Sequence, residues 1–123
     1  MHNAINWFEI PVSDFDRAKK FYETLFESEM YVMEAMGMKS AFFNADMKSG
    51  GIGGCIIQGN GYEPSDKGSV VYLNGGDDLN TPLAKVEAAG GKIVLEKKAI
   101  GHNGFMAFFI DTEGNKIGLH SRK

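Results

Sequence analysis

The chain contains two similar segments, and this internal repeat restricts the folds that are open to it. The first segment covers residues 12–26 and the second covers residues 78–90, so that Asp78 lies 64 positions after Asp14. Each segment follows a short apolar run and precedes three more. A unit of strand, helix and three strands within about 60 residues predicts two half-domains that share one core, with a cleft between them.

Composition limits the class of protein. A chain of 123 residues, 43% hydrophobic and 24% charged, predicts a single globular domain over residues 1–123. The net charge of −3 and the short basic stretches, Lys97-Lys98 and Arg122-Lys123, argue against a nucleic-acid partner. The single cysteine, Cys55, rules out an internal disulfide. With no signal-peptide pattern and no apolar run of membrane-spanning length, we expect a cytoplasmic protein with no membrane partner.

The first repeat predicts a module over about residues 4–58. Alternating apolar positions predict a strand over residues 5–12, with Phe8, Ile10 and Val12 on one face and Trp7 and Glu9 on the other. Ser13 is the predicted N-cap of a helix, with Asp16 three residues later. Three further strands are predicted at residues 30–36, 40–45 and 52–58.

The second module is predicted over about residues 69–121, after a glycine-rich connector at 59–68. A strand over 70–74 precedes a helix that Asp77 or Asp78 caps, that carries Pro82 in its first turn and that ends at Gly90-Gly91. Strands follow at 92–96, 105–111 and 116–120. The last two are joined by a hairpin turn in which Gly114 and Asn115 are available for positive φ.

Two motifs resemble those of the vicinal oxygen chelate superfamily, which includes glyoxalase I, extradiol dioxygenases, fosfomycin-modifying enzymes and bleomycin-resistance proteins. They are Val-Ser-Asp-Phe-Asp-Arg-Ala-Lys-Lys-Phe-Tyr after the first strand and Phe-Phe-Ile-Asp-Thr-Glu-Gly-Asn-Lys-Ile-Gly-Leu-His near the end. The resemblance implies an α+β fold in which two βαβββ modules form an open, barrel-like cleft, the glyoxalase/bleomycin-resistance fold. It also implies a homodimer, and it is less specific for an activity than for the fold.

In metal-dependent members of that superfamily, His, Gln or Glu side chains on the first and last strand of each module hold the ion. The resemblance places these positions at Trp7, at Gly54 or Cys55, at one of residues 69–71 (Ser, Val, Val) and at Gly118. None of these offers a good ligand for an oxygen-chelating divalent ion. We therefore expect a member without metal or other cofactor, with Gly53, Gly54 and Gly118 leaving open space in the cleft.

The expected ligand is a small aromatic or amphipathic molecule beside Trp7. Glu9 shares the face of Trp7 and is either a general base, an anchor for a cation or a solvated strand residue. His120 is either a polar group at the rim of the cleft or an exposed histidine. Cys55 is expected to be a small buried residue rather than a nucleophile, and Tyr72 faces either the cleft or the helix. His102, between two glycines, is either part of a closing loop or a plain turn residue.

The sequence favours a metal-independent small-molecule-binding protein, with ligand contacts from Trp7, Glu9, Cys55, Tyr72 and His120. An alternative is a glyoxalase-like lyase that has moved its metal ligands, for instance to Glu9 and His120, or that uses Glu9 as a base without metal. A third is a module whose cleft binds a protein. The sequence leaves open whether the two modules pair within one chain or exchange between chains.

Overall fold

The structure is a computed structural model that describes residues 2–123. Its elements, in chain order, are β1 (Trp7–Pro11), α1 (Phe15–Phe26), β2 (Tyr31–Ala35), β3 (Met38–Phe42), β4 (Gly53–Gln58), β5 (Val71–Asn74), α2 (Asn80–Leu83), β6 (Lys92–Ala99), β7 (Phe105–Ile110) and β8 (Lys116–Ser121). Short 3-10 turns occur at Met47–Ser49 and Gly101–Asn103.

The strands form two four-stranded sheets of the same design. The first has the order β1-β4-β3-β2 and the second the order β5-β8-β7-β6. In each sheet the first two strands are parallel and the other neighbours are antiparallel. The predicted α+β fold with two βαβββ modules is therefore confirmed, and the sheets stay open rather than closing into a barrel.

Strand β1 shows the predicted alternation. Ile10 is 1% exposed and Phe8 is half-buried, whereas Trp7 and Glu9 are exposed on the opposite face. For each sheet, the face that packs on the helices is called the inner face here, and the opposite one the outer face.

Helix α1 packs an apolar stripe into the core, but it begins differently from the prediction. Asp14, not Ser13, is the N-cap, because its carboxylate accepts a hydrogen bond from Arg17 N at 3.1 Å. The Ser13 hydroxyl instead donates to Glu113. The buried stripe consists of Phe15, Ala18, Phe21, Tyr22 and Leu25.

The hairpin between β2 and β3 turns earlier than predicted. Ala35 pairs with Met38, so that the two-residue turn is Met36-Gly37, with φ of 53° and 75°. Strand β3 consequently ends at Phe42 rather than at residue 45. Met36 is a rare non-glycine residue at positive φ, and no sequence pattern identified it as a turn residue.

The second helix is much shorter than predicted. Only Asn80–Leu83 is α-helical, and the hydrogen bonds that follow include the tighter i to i+3 bonds Lys85 N to Pro82 O and Val86 N to Leu83 O. Leu79 occupies the N-cap position, whereas Asp78 accepts from Asn80 N beside it. Pro82 is the third helical residue, where an N–H group would have no partner within the helix, so its missing donor does not account for the short helix.

Two further turns use one glycine each, and one strand boundary differs from the prediction. Of Gly90 and Gly91 only Gly90 has a positive φ, and of Gly114 and Asn115 only Gly114 does. Asn115 instead donates from its backbone N–H to Asp111 Oδ1 at 2.9 Å. Strand β6 continues to Ala99 through two register shifts.

One continuous buried cluster draws residues from both modules. Phe21 of α1 lies 5.7 Å from Phe109 of β7, measured between ring centroids, so the helix of the first module packs on the sheet of the second. Near this contact the Tyr22 hydroxyl donates to Asp111 Oδ2 at 2.7 Å. Burial raises the pKa of Asp111, and burial together with the Asp111 charge raises the pKa of Tyr22 well above its usual range.

A second polar contact between the modules fixes the start of α1. Glu113, in the turn between β7 and β8, has a fully buried side chain that accepts hydrogen bonds from Ser13 N and Asp14 N at 3.0 and 2.7 Å. Arg17 Nε donates to the same carboxylate at 2.8 Å. Burial alone would raise the pKa of Glu113, but these donors outweigh it and hold the pKa at about 2.

Within residues 2–123, no helix is long and apolar enough to span a bilayer.

Candidate functional site

The main cavity lies between the edge strands of the two sheets, β1 and β5. Its volume is about 710 Å³. The apolar side chains that line it include Ile5, Phe8, Phe26, Met30, Phe43, Val71 and Leu73, and polar groups come from Ser28, Asn44, Ser69 and Asn74. A mostly apolar space of this size with a few polar groups is typical of sites for small organic ligands.

Phe43 is the centre of an aromatic wall in this cavity. Its ring centroid lies 5.6 Å from that of Phe8, 5.3 Å from that of Tyr22 and 6.3 Å from that of Phe26. The Tyr22 hydroxyl is already bonded to Asp111, so the tyrosine adds mainly its ring to the wall. Such a wall favours a planar apolar group.

Trp7 borders this cavity without lining it. Its side chain is on the outer face of the first sheet, 37% exposed, and packs edge-on against Phe42 at 5.6 Å. Gly53, which does line the cavity, is its register partner on β4. A methyl group on Gly53 would lie 3.3 Å from the indole, so the indole lies beside one residue of the cavity lining.

Glu9 and Cys55 lie side by side on the outer face of the first sheet, where they are register partners. Cys55 is buried, and burial, followed by the Glu9 charge, raises its pKa to about 11. The thiol therefore stays protonated near neutral pH, as expected for a buried rather than a nucleophilic cysteine.

The connector adds Tyr62 to this pair. A side-chain hydrogen bond to Glu9, followed by the Glu9 charge, raises the pKa of the Tyr62 phenol. Glu9 also borders a smaller hollow, of about 250 Å³, between β1, the connector and the start of β8. Tyr62 was missed in the sequence because no periodic pattern covers the connector.

Tyr72 and His120 lie together on the outer face of the second sheet. Tyr72 pairs with Gly118 and packs against Phe108 at 5.7 Å, while its neighbour Leu73 is buried, so the orientation left open by the sequence is outward. His120 Nε2 hydrogen-bonds to the backbone carbonyl of Asn103. Both residues line a second cavity, of about 660 Å³.

The five predicted ligand contacts thus fall into two groups. Trp7, Glu9 and Cys55 belong to the first sheet, and Tyr72 and His120 to the second. Tyr72 alone among them lines the main cavity as well. His102 is exposed in the 3-10 turn beside Asn103.

The expectation of open space above the glycines is wrong at all three positions, since even at Gly53 a methyl group would lie 3.1 Å from Met47 Sδ and 3.3 Å from the Trp7 ring. A methyl group on Gly54 would lie 2.3 Å from the Phe8 ring, on the inner face, and one on Gly118 would lie 2.5 Å from the Tyr72 ring. These glycines are needed because an aromatic ring crosses directly over the backbone.

The two modules can be aligned through matching hydrogen bonds at their helix starts. Gln58 Oε1 accepts from Phe15 N at 2.7 Å, and Ser121 Oγ accepts from Leu79 N at 3.0 Å. Gln58 and Ser121 are therefore equivalent, which also makes Cys55 equivalent to Gly118, since each lies three residues earlier.

This alignment can be applied to the positions that the resemblance gives for metal ligands. The strand partners of Cys55 and Gly118 are Glu9 and Tyr72, and two residues earlier in the chain are Trp7, on β1, and Val70, just before β5. The four positions are thus an indole, a buried thiol with a raised pKa, a valine and a glycine. This donor set does not fit a divalent oxygen-chelating ion.

Elsewhere in the described chain, residues 2–123, no three His, Cys, Asp or Glu side chains come together in a group that could hold a metal ion.

The sequence profile of the Glyoxalase/Bleomycin resistance protein/Dioxygenase superfamily matches residues 4–119. A glyoxylase-like domain-containing protein from Didymella fabae is 31% identical over 128 aligned positions, covering 99% of this chain and 96% of its own. The chain belongs to this superfamily.

Solved structures share the fold at low identity. A glyoxalase/bleomycin resistance protein from Albidiferax ferrireducens superposes with a TM-score of 0.69 at 20% identity, over 98% of this chain and 100% of its own. A glyoxalase I mutant from Zea mays gives 0.70 at 19% identity, over 95% of this chain. The present chain spans only 45% of that maize protein.

Proposed function

We propose that this protein is a metal-independent member of its superfamily that binds a small aromatic or amphipathic molecule in the cleft between β1 and β5, near Trp7. The observation that carries the proposal is the cavity of about 710 Å³ with Phe43 at the centre of its aromatic wall. The four family ligand positions, which lack a donor set for a divalent ion, support the metal-independent part.

The residues predicted to bind the ligand have different parts in this proposal. Tyr72 contacts the ligand from β5. The indole of Trp7 lies beside Gly53, and its fluorescence changes when the ligand binds. Glu9, Cys55 and His120 lie farther out, where they accommodate polar extensions of a larger ligand. Most of the binding free energy comes from apolar burial against Phe8, Phe26 and Phe43, at roughly 25 cal/mol per Å².

The test is a fluorescence titration, because Trp7 is the only tryptophan. Neutral 4-nitroanisole, which quenches indole fluorescence, is expected to give a saturable decrease. Ala45 lines the cavity beside Gly53, so Ala45→Phe fills it and is expected to weaken binding about tenfold or more, the effect of losing about 1.4 kcal/mol.

Ala35→Phe is the matched control. It adds the same ring at the exposed end of β2 and should leave binding unchanged. Quenching without saturation, or equal affinity in the Ala45→Phe and Ala35→Phe proteins, contradicts the proposal.

The position of Glu9 at the smaller hollow, close enough to Tyr62 to raise the pKa of its phenol, favours a second candidate, a lyase of the glyoxalase type that uses Glu9 as a base without metal. The name of the Didymella fabae relative is in keeping with this activity. Turnover of methylglyoxal with glutathione by chelator-treated protein, lost in Glu9→Gln and kept in Glu34→Gln, supports it. Absence of turnover in the wild-type protein rejects it.

Assembly as a cytoplasmic homodimer is the remaining part of the proposal. Strand β2 is the free edge of the first sheet and exposes apolar side chains on both of its faces, among them Tyr31, Val32 and Met33, which are 67%, 42% and 46% exposed. An unpaired apolar edge of this kind is usually covered in solution, and a second copy of the same edge can cover it.

A further inference from the structure

The second cavity, of about 660 Å³, shares Tyr72, Leu73 and Asn74 with the main cavity, whereas Met106 and Arg122 line only the second one. It lies beside β5 and β8 on the second sheet. Its polar groups come from Asn74, Asn103, His120 and Arg122, and its apolar ones include Tyr72 and Met106. The cavity is therefore amphipathic, with a polar group on each of several different segments of the chain.

The side chains that line this cavity carry charge of one sign only. The protein as a whole has 16 acidic and 13 basic side chains, yet no Asp or Glu is found among the described residues that line the cavity. Arg122 lines it and, over residues 2–123, makes no salt bridge. An uncompensated guanidinium in a concave, partly apolar site attracts an anion.

The hydrogen bonds of the neighbouring polar groups determine which donors in the cavity are free to bind a ligand. Asn74 Oδ1 accepts from Gly76 N at 2.9 Å, so its Nδ2 group remains to donate to a ligand. His120 Nε2 donates to the backbone carbonyl of Asn103, so this N–H is already used. Ser121 Oγ is already used, since it accepts from Leu79 N and donates to Lys123 O.

From these observations we infer that the second cavity binds a small carboxylate with an apolar or aromatic body. The carboxylate is held by Arg122 and Asn74, and the body packs against Tyr72 and Met106. A carboxylate is preferred because the planar guanidinium fork matches its two oxygens. The inference concerns a different cavity from the proposed function and stands independently of it.

The test is isothermal titration calorimetry of the full chain with 2-naphthoate, compared with neutral 2-naphthamide. We expect naphthoate to bind and Arg122→Gln to weaken it about tenfold or more, as for loss of a charge-assisted pair. Lys123→Gln removes the same charge from the next residue, which does not line the cavity, and is expected to change the affinity less than about twofold, as for a surface charge.

Asn103→Asp provides a second, isosteric variant at an exposed position. It places a carboxylate in the cavity and should weaken naphthoate binding while leaving the thermal midpoint close to that of the wild type. Equal affinity for naphthoate and naphthamide, or unchanged affinity in both Arg122→Gln and Asn103→Asp, overturns the inference.

Inorganic phosphate at constant ionic strength distinguishes a carboxylate site from a general anion site. We expect it not to displace naphthoate, and complete displacement at equal concentration overturns the carboxylate assignment. Binding of 4-nitroanisole and its loss in Ala45→Phe report on the main cavity alone. Failure of one proposal is therefore distinguishable from failure of the other.

Discussion

At the residue scale, Glu113 shows how much one carboxylate can organise. It accepts from two backbone N–H groups at the start of α1 and from Arg17, although it belongs to the other module. The first N–H groups of a helix have no partner within the helix and attract negative charge. The buried carboxylate therefore caps the helix and joins the modules through the same set of bonds.

We predict that Glu113→Gln lowers the free energy of unfolding at pH 7 by about 1–3 kcal/mol, because three hydrogen-bond donors lose a charged acceptor whose side chain is buried. The pKa of Glu113 is about 2 in the folded protein, below its ordinary value of about 4.3. The stabilisation is complete above the unfolded pKa and is lost as the pH falls through the folded one. Urea unfolding of both proteins between pH 7 and 2 should show the difference shrinking below about pH 4.

Glu34→Gln serves as the control for Glu113→Gln. It removes an exposed carboxylate paired with Lys39 at 3.7 Å and should cost less than about 1 kcal/mol. An equal loss of stability in the two variants, or a loss in Glu113→Gln that does not depend on pH, contradicts the assigned role.

Two glycines beneath aromatic rings should differ in their tolerance of a methyl group. Phe8 lies over Gly54 and is held by Phe43, whereas Tyr72 lies over Gly118 and is 49% exposed. We predict that Gly54→Ala destabilises the protein by about 1–3 kcal/mol through overpacking. Gly118→Ala should cost less, because Tyr72 can move outward. Thermal unfolding ranks the two, and the reverse order refutes this explanation.

At the element scale, the strands and α1 could be predicted from sequence because their alternation and apolar stripe record which face is buried. Ile10 and Leu25 are examples, since both fit the pattern and are 1% exposed. The length of α2 could not be predicted in this way. Its apolar residues Leu79, Leu83 and Val86 also suit the looser turns that the chain adopts, and periodicity does not distinguish them.

A substitution in the turn between β2 and β3 should increase the stability of the protein. Both central residues, Met36 and Gly37, have positive φ, a geometry for which Asn-Gly is preferred. Met36 is 90% exposed, so its side chain contributes little packing. We predict that Met36→Asn stabilises the protein by about 0.5–1 kcal/mol, and that Met36→Val destabilises it, since a β-branched residue resists this conformation. Chemical denaturation measures both, and equal stability of the two variants is incompatible with the prediction.

At the scale of the whole molecule, the repeat predicts the two modules but not the position of the cavities. The main cavity depends on how far apart β1 and β5 lie, and its polar and apolar lining comes from both modules and the residues between them. Contacts such as Glu9 with Tyr62 join a strand to the connector and leave no local pattern. The site could therefore not be predicted as an assembled space, and on β1 the residue that lines the main cavity is Phe8, which the sequence placed on the face opposite Trp7.

The proposed homodimer can be tested through the oligomeric state of the protein in solution. We expect the wild-type protein to sediment as a dimer and Val32→Lys to sediment as a monomer, because lysine on an edge strand opposes edge-to-edge pairing. Val94→Lys is the control, since Val94 is 54% exposed on β6, the free edge of the other sheet. Identical sedimentation of the two variants argues against an interface at β2.

The capping of α1 by Glu113 also has a consequence for synthesis. Ser13 and Glu113 are 100 positions apart, so the ribosome produces the start of the helix long before the carboxylate that completes it. During that interval Phe15 N and Arg17 N already have Gln58 and Asp14 as partners, whereas Ser13 N and Asp14 N have only water. The first module emerges from the ribosome with an unfinished helix, and it acquires its full stability only when the final hairpin has been made.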